Sequence, residues 1–284
     1  MFEFRNIFQR ATVVAILIGM TFLVTWVDPV RGGNANTVDV WFFDIGQGDA
    51  VLIQSGSTQI MIDGGPTGSL TEKVGRVMPF WDNVIEYTFV SHPHEDHFIG
   101  FLPLAQHYDM DHIYVAPQIY ASQSWQVFLD THDEEVLMAG DEIHISEDIS
   151  VQVIWPEHRD VRTYEDANDG SLVLIVNIQG KKILFTGDAG VEQEKEFLEM
   201  VGDVDVLKVG HHGSYTSTSP ALLDVIDAEQ AIISCGQDNS YGHPNAVVVN
   251  RLNEANIETW RTDQDGDIRM QIRQGIYHIS SFSL

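Results

Sequence analysis

The chain has 284 residues, 44% of them hydrophobic, and a formal net charge of −27 from 42 acidic and 15 basic side chains. That length and apolar content suffice for the core of about one α/β domain, and the single cysteine, Cys235, excludes an intrachain disulfide. The charge excludes broad electrostatic attraction to nucleic acid or anionic lipid, so a polyanionic substrate must be attracted locally, as bound metal cations can do.

Residues 1–36 differ in composition from the rest of the chain. Two arginines, Arg5 and Arg10, precede a run of 17 uncharged residues, 11–27, which is close to the shortest length that spans a bilayer. We interpret residues 1–36 as a membrane anchor or signal segment with a linker, and an uncleaved anchor is favoured over a cleaved signal peptide or a buried helix. Positive charge before the apolar run predicts that the N-terminal end stays in the cytoplasm. The domain formed by residues 37–284 would then lie in the cell envelope, outside the cytoplasm.

Beyond residue 37, short β-rich runs alternate with helical patterns. Strands are predicted at residues 38–43, 50–53, 59–62, 84–90, 113–115, 151–155, 171–178, 182–186, 204–209, 231–234 and 268–272. Helices are predicted at residues 98–106, 124–131, 191–200, 220–226 and 246–255. Strands this apolar need cover on both faces, so the order predicts two packed sheets with helices outside them.

A cluster of metal-ligand residues directly follows the predicted strand at 84–90. His92, His94, Asp96 and His97 lie within six consecutive residues, and imidazole and carboxylate are ligands that zinc and manganese accept. The spacing divides into two sets, His92 with His94 and Asp96 with His97. A polar turn rich in histidine is the alternative, but four ligand-type residues at these offsets rarely coincide. The run therefore predicts sites for two metal ions.

Further candidate ligands also stand where predicted strands end. Asp188 follows the strand predicted at 182–186 and would present a carboxylate at a sheet edge, where it could bridge two metals. His211, His212 and His243 follow later strands in a similar manner. The six histidines outside such motifs are interpreted as surface or hydrogen-bonded core residues.

Together these motifs resemble the metallo-β-lactamase superfamily in order and spacing, with Asp63 in an Ile-Asp-Gly-Gly segment as an additional match. A narrower resemblance, to the soluble domain of ComEC DNA-uptake proteins, is carried by residues 43–50, 91–97, 168–172, 207–214 and 239–244. The resemblance covers about residues 38–280. It implies the α/β class, as an αββα metallo-β-lactamase-like sandwich with a dinuclear metal centre at one sheet edge.

The resemblance also implies a role for each candidate residue. The implied metal ligands are His92 and His94 for the first ion, Asp96, His97 and His243 for the second, and Asp188 as the bridge. The implied catalytic residues are Asp96, Asp188 and His212, the last as proton donor or phosphate contact. The residues implied to orient ligands or to contact substrate are Asp63, Asn168, Asp169, Lys208, His211, Ser214 and Ser217. The last ligand stays open between His243 and the His211–His212 pair.

The identity of the two divalent ions is open between zinc and manganese. Many hydrolases of the superfamily carry a third histidine on the first ion, upstream of the bridging aspartate, whereas this chain has Asn168 and Asp169 there. Oxygen donors are harder ligands than imidazole and favour manganese over zinc.

The resemblance and the ligand residues together predict a metal-dependent hydrolase. We expect a phosphodiesterase or nuclease that acts on DNA through attack of a hydroxide held between two metal ions, in an exported or membrane-anchored protein. Two alternatives are hydrolysis of a small lactone, thioester or other ester, and a catalytically silent envelope protein that binds a partner. The intact set of ligand residues argues against a catalytically inactive protein. The sequence indicates no particular protein partner.

Overall fold

The computed structural model describes residues 36–157 and 166–284. The predicted anchor or signal segment therefore lies, apart from Asn36, outside the described residues. Within the two described ranges, no helix combines the length and apolarity needed to cross a membrane.

The elements of the described chain are mostly short. The strands are β1 (Thr37–Phe42), β2 (Ala50–Ser55), β3 (Thr58–Gly64), β4 (Val84–Val90), β5 (Asp109–Val115), β6 (Glu134–Val136), β7 (Glu142–His144), β8 (Ile149–Trp155), β9 (Val173–Ile178), β10 (Lys181–Phe185), β11 (Val206–Lys208), β12 (Gln230–Ile233), β13 (Glu258–Arg261), β14 (Asp267–Arg273) and β15 (Ile276–Phe282). The α-helices are Ser69–Val77, Glu95–Phe98, Phe101–Leu104, Gln123–Asp130, Val191–Val201, Pro220–Ile226, Ala246–Glu254 and Thr262–Asp265. Turns of 3₁₀ helix lie at Asn168–Gly170 and Gly210–Gly213.

Among the described residues the strands form two sheets. The first has eight strands in the order β15-β14-β1-β2-β3-β4-β5-β6, and the second has seven in the order β13-β12-β11-β10-β9-β8-β7. In the first sheet β1 pairs antiparallel with β2 and β14, whereas β3, β4 and β5 run parallel. In the second sheet β10, β11, β12 and β13 run parallel. Parallel neighbours end at the same edge of a sheet, so the loops that follow them meet there.

Apolar side chains form three layers. Between the sheets, Phe42 of β1 stacks on Phe185 of β10 with ring centroids 6.3 Å apart, and both rings are buried. Trp41 points to the opposite face of β1, because side chains alternate along a strand, and it packs beneath the outer helices. The covering helices are Ser69–Val77 and Gln123–Asp130 on the first sheet, and Val191–Val201, Pro220–Ile226 and Ala246–Glu254 on the second. This arrangement confirms the predicted αββα sandwich.

Side-chain caps begin the two helices that follow the later loops. The Ser219 hydroxyl accepts a hydrogen bond from a first-turn N–H of Pro220–Ile226, and the Asn245 side chain does the same for Ala246–Glu254. Such caps stabilise a helix by about 1 kcal/mol each. Pro220 lies in the first turn of its helix, where proline favours a helix start.

Tertiary contacts set other boundaries. The pattern predicts one helix over residues 98–106, but the structure has two single-turn helices there, Glu95–Phe98 and Phe101–Leu104. The two helices are separated at Gly100, whose N–H donates to the Gly65 carbonyl at 2.9 Å. Only glycine fits there, because a Cβ atom would lie 1.9 Å from the carbonyl oxygen of Gly64. The strands β6, β7, β13 and β15 and the helix Ser69–Val77 lie where the sequence pattern predicts no element.

Candidate metal centre

Loops from both sheets converge at one edge of the sandwich. Asp63 stands near the end of β3, and residues 92–97 follow the end of β4. From the second sheet, Asp188 follows β10, and His211 and His212 follow β11. Each pair of strands is parallel, so side chains that are distant in sequence share one edge.

Four imidazoles surround the carboxylate of Asp188. Nε2 of His97 lies 3.4 Å from Oδ1 of Asp188, and the Nε2 atoms of His92, His211 and His212 lie 3.8, 3.5 and 3.8 Å from Oδ2. All of these residues are buried except His211, which is partly exposed. Asp188 therefore occupies the centre of the cluster, from which its two oxygens face different histidines.

Several polar atoms at this point are buried without a hydrogen-bond partner in the described part of the chain. They are Nε2 of His92, His97 and His212, Nδ1 of His243, and Oδ1 of both Asp49 and Asp188. Buried polar groups nearly always have partners, because an unpaired group costs about 1–3 kcal/mol. A divalent cation accepts lone pairs from both imidazole nitrogen and carboxylate oxygen. The residues present therefore fit the metal that these motifs predict.

The ligand atoms fall into four overlapping groups among the described residues, each with its atoms within 4.8 Å of one another. The groups are His92–His97–Asp188, Asp96–His97–His212, Asp49–Asp188–His212 and Asp49–Asp63–His97. His212 joins Asp96 and His97, whereas His243 and His94 join none of these groups. Of these two candidates for the last ligand, His212 therefore lies within 4.8 Å of ligand atoms of Asp96 and His97, whereas His243 stands outside this group.

Asp63 holds the ring of His97. Its Oδ2 lies 2.8 Å from His97 Nδ1 and accepts the Ser91 hydroxyl at 2.7 Å, while its Oδ1 accepts the Ser91 backbone N–H at 2.7 Å. An ionised carboxylate only accepts, so Nδ1 carries a hydrogen, and in the neutral imidazole Nε2 is then the nitrogen with the lone pair. A carboxylate partner of this kind orients a metal-binding histidine and raises its basicity.

A second buried carboxylate, Asp49, stands behind His212. Its Oδ1 is 3.2 Å from His212 Nδ1, and its Oδ2 accepts from Lys208 Nζ at 2.7 Å. The carbonyl oxygen of Ser234, also 3.2 Å from Nδ1, can only accept, so in the neutral imidazole of His212 Nε2 is again the nitrogen with the lone pair. Only 3% of the Lys208 side chain is exposed. Lys208 therefore neutralises Asp49 and does not reach toward solvent.

The sequence motifs do not single out Asp49, although it lies in the segment 43–50. The preceding Gly48 has φ +147°, and a Cβ atom there would lie 2.4 Å from the carbonyl oxygen of Asp96. The Asp49 N–H donates to that same oxygen at 3.2 Å. Asp49 and Asp188 each follow a glycine at the boundary of a strand. This shared Gly-Asp pair is the sequence signal that could have identified Asp49.

The charges of the cluster shift its pKa values in opposite directions. Burial raises the pKa of Asp188, but the charges of His97 and His212 outweigh burial and hold it well below its usual range. Burial likewise raises the pKa of Asp96, but a hydrogen bond from His212 and the charge of His97 lower it to about 2. Burial lowers the pKa of His212, while Asp188 and its neighbouring carboxylates raise it to about 10. Burial, together with the charge of His97, lowers the pKa of His92 well below 6.5. The carboxylates are thus ionised at neutral pH and attract cations.

Three residues of the cluster hold a left-handed backbone conformation. The φ angles are +59° at Asp63, +46° at His211 and +53° at His212, and each costs about 1 kcal/mol or more in a non-glycine residue. The Ser217 hydroxyl, which donates to the Gly210 carbonyl at 2.7 Å, stabilises this turn. The turn directs two adjacent imidazoles to one carboxylate, which an extended strand cannot do because its side chains alternate.

The other predicted residues stand around this centre. The ring of His94 lies 4.7 Å from that of His92, and the ring of His243 lies 5.9 Å from that of His211. Asn168 and Asp169 form the 3₁₀ turn before β9, where the Asp169 carbonyl accepts from Trp155 Nε1 at 2.7 Å. Ser214 and Ser217 are buried and form hydrogen bonds within their own loop. These two serines support the loop that carries the histidines.

A sequence-family model described as the Metallo-beta-lactamase superfamily matches residues 43–237. This range includes Asp63, the 92–97 run, Asp188 and His212. The chain belongs to the metallo-beta-lactamase superfamily. Its fold is similar to that of the metallo-beta-lactamase fold protein YhfI from Bacillus subtilis, with a TM-score of 0.56, 11% identity, and coverage of 86% of this chain and 99% of that one. At that identity the likeness concerns the fold alone.

Curated relatives of this superfamily member include competence proteins. This chain is 30% identical over 273 residues to ComE operon protein 3 of Bacillus subtilis, and the match covers 84% of this chain and 33% of that protein. It is 29% identical over 272 residues to Recombination protein 2 of Haemophilus influenzae, which covers 94% of this chain and 33% of that protein. The predicted resemblance to ComEC-like proteins is confirmed, and the chain spans about a third of the length of these relatives. The family and the His/Asp cluster together indicate a metal-dependent hydrolase.

Proposed function

We propose that this superfamily member is a phosphodiesterase that hydrolyses DNA with two divalent metal ions. The convergence of three buried, unpaired Nε2 atoms on the Asp188 carboxylate supports this function. A cluster of that composition is unfavourable by itself, because its polar atoms are buried without partners in the described chain. Metal binding would satisfy these atoms and would give an acidic protein a local positive charge.

One ion would be held by Asp96, His97 and His212. Oδ1 of Asp96 lies 3.9 Å from His97 Nε2, and its Oδ2 lies 3.3 Å from His212 Nε2. We therefore propose His212 as the ligand and His243 as the group that contacts substrate. This exchanges the roles that the family resemblance implies for these two residues.

The other ion would be held by His92, with Asp188 shared between the two sites. His94 is its remaining candidate imidazole, since its ring contacts His92. When bound, divalent ions of this kind supply an activated water and neutralise charge on the phosphoryl oxygens. The chain itself orients the ligands for that chemistry, because Asp63 and the Ser234 carbonyl keep a ring hydrogen on Nδ1 of His97 and of His212.

We propose that His243 transfers protons beside the centre. It is half-buried, and Asn239 holds its backbone through the His243 N–H and carbonyl at 3.0 and 2.6 Å. Burial, and then the charges of His211 and His212, lower the pKa of His243 below 6.5. A neutral imidazole at pH 7 can take a proton from an incoming water or, once protonated, give one to a leaving alkoxide.

DNA is proposed as the substrate because of the relatives. Recombination and competence are the functions that their names state, and this chain corresponds to about a third of them. The net charge of −27 provides little long-range attraction to a polyanion. The metal centre would therefore supply most of the local attraction for phosphate.

We also propose that residues 1–36 hold the domain at a membrane. β1 begins one residue after Asn36 and runs for six residues toward the edge that carries the centre, a length of about 20 Å. An anchor joined before Thr37 would therefore attach to the end of the sandwich opposite the metal centre. That orientation would turn the centre away from the bilayer.

The test of the phosphodiesterase is hydrolysis by the purified full chain in detergent. A labelled single-stranded oligonucleotide is incubated with Mn²⁺ or Zn²⁺ beside a chromogenic lactone and a thioester. We expect strand cleavage that a chelator abolishes, and loss of cleavage in Asp188→Asn. The matched control is Asp205→Asn, which removes a carboxylate that pairs with Lys181 at the start of β10, away from the cluster.

Two outcomes would overturn this function. Ester turnover without strand cleavage at any metal loading would assign the chain to the ester hydrolases. Inactivity on all three substrates, with metal bound, would favour a binding protein.

A further inference from the structure

A stack of rings leads from the metal centre to solvent on the side of His243. Tyr241 lies parallel to His243, with 7° between the ring planes and 5.8 Å between the centroids. His243 is 5.9 Å from the ring of His211, whose Nε2 lies 3.5 Å from Asp188. Tyr241 is 71% exposed. One face of its ring is therefore held by the protein, while most of the side chain is available to a ligand.

A second set of rings leads outward on the side of His92. Tyr120 contacts His94 edge to face at 5.4 Å, and His94 contacts His92 in the same way at 4.7 Å. Ile119, beside Tyr120, is 81% exposed. Exposed apolar and aromatic side chains thus stand on two sides of the centre, each connected to it through one or two imidazoles.

Exposed aromatic rings at this position suit a ligand with flat faces. Nucleotide bases stack on tyrosine in a way that does not depend on charge or on base identity. A protein with 42 acidic and 15 basic residues has few cationic side chains with which to form a basic groove for nucleic acid. Stacking beside a metal centre provides affinity without such a groove.

We propose that Tyr241 stacks on an unpaired base next to the scissile phosphate, with Tyr120 contacting the strand on the other side, so that the substrate is single-stranded nucleic acid. This inference rests on the proposed phosphodiesterase function and specifies its substrate. The bases of a duplex are already stacked on one another and paired, so their faces are closed to a fixed tyrosine ring. A single strand exposes those faces at no unpairing cost.

The experiment compares kcat/KM of the full chain, loaded with Mn²⁺, on two single strands of equal length and charge. One is an oligothymidylate and the other is an abasic phosphodiester strand. We expect the wild-type chain to prefer the oligothymidylate by about tenfold or more, the usual effect of one stacked base. Tyr241→Ala should reduce that ratio toward one, and Tyr241→Phe should keep it, because phenylalanine keeps the ring.

Trp81→Ala is the control for loss of an exposed aromatic side chain. Trp81 is 64% exposed and precedes β4. The metal centre is at the other end of that strand, so the length of the strand separates Trp81 from the centre by about 20 Å. This variant should show the wild-type ratio.

The outcomes separate the stacking role from the function on which it rests. If Tyr241→Ala slows both strands equally, the ring only supports His243 and the stacking role is overturned. Equal cleavage of both strands by the wild-type chain also overturns it, but leaves the phosphodiesterase standing. Cleavage of neither strand by the metal-loaded wild-type chain overturns both.

Discussion

Replacing Asp63 with asparagine should weaken metal binding although no proposed ligand is removed. The Asp63 carboxylate faces three hydrogens, one on His97 Nδ1 and two on the hydroxyl and backbone of Ser91. Asparagine keeps one acceptor oxygen and presents an NH₂ group in place of the other. If the NH₂ group faces His97, the ring must accept at Nδ1. Its hydrogen then moves to Nε2 and blocks the atom that faces Asp188.

The expected loss follows from these contacts. Carboxylate partners of metal-bound histidines contribute about 10- to 100-fold in affinity, which is about 1.4–2.7 kcal/mol. The opposite amide orientation keeps the His97 tautomer but turns NH₂ against Ser91, and one buried donor then has no acceptor. That orientation costs about 1–3 kcal/mol in the free energy of unfolding. Asp63→Asn therefore loses metal affinity, stability or some of each.

Calorimetric titration of the metal-stripped full chain with Zn²⁺ measures the affinity, and thermal unfolding measures the stability. The matched control is Asp39→Asn. Asp39 is a buried carboxylate near the start of β1, away from the metal centre, and it accepts hydrogen bonds from Arg269 at 3.0 and 2.9 Å. This control should lose stability and keep its metal affinity. Wild-type zinc affinity and wild-type stability in Asp63→Asn would refute the reasoning.

Four further outcomes are expected. Native mass spectrometry should find about two divalent ions per wild-type chain and lower occupancy of both sites in Asp188→Ala; a wild-type chain that stays metal-free in millimolar Mn²⁺ and Zn²⁺ would contradict the centre. His212→Ala should lower metal occupancy, whereas His243→Ala should keep it and lower turnover by about 10²- to 10⁴-fold; the reverse pattern would restore the roles that the family resemblance implies. In the chain stripped of metal by a chelator, the raised pKa of His212 contributes stability that is fully present below pH 6.5 and is lost as the pH rises through about 10. The Tm should therefore fall between these two pH values, and it should fall less in His212→Gln. The lowered pKa of Asp96 contributes stability that is present above pH 3.8 and is lost as the pH falls toward about 2. Thermal unfolding in acid should therefore show a smaller loss of Tm for Asp96→Asn than for the wild-type chain.

Local patterns determine much of the fold and part of the centre. The strands β4, β10 and β12 can be predicted from sequence because each ends in a run of buried apolar residues, as strands of a covered parallel sheet do. The 92–97 run and Asp188 are recognisable because ligand-type residues directly follow those strands. Within each sheet the parallel strands end on the same side, and the packing of the two sheets then brings the 92–97 run and Asp188 together.

Contacts between distant segments are decided only by the tertiary structure. Asp49 and Lys208 are 159 positions apart and form one buried ion pair, which no local spacing predicts. The choice between His212 and His243 depends on the left-handed turn after β11 and on the distance between the two sheets. Sequence spacing determines which residues follow a strand, whereas a buried ligand set depends on distances across the chain. Those distances exist only after both sheets have packed, because close packing fixes the positions of buried side chains.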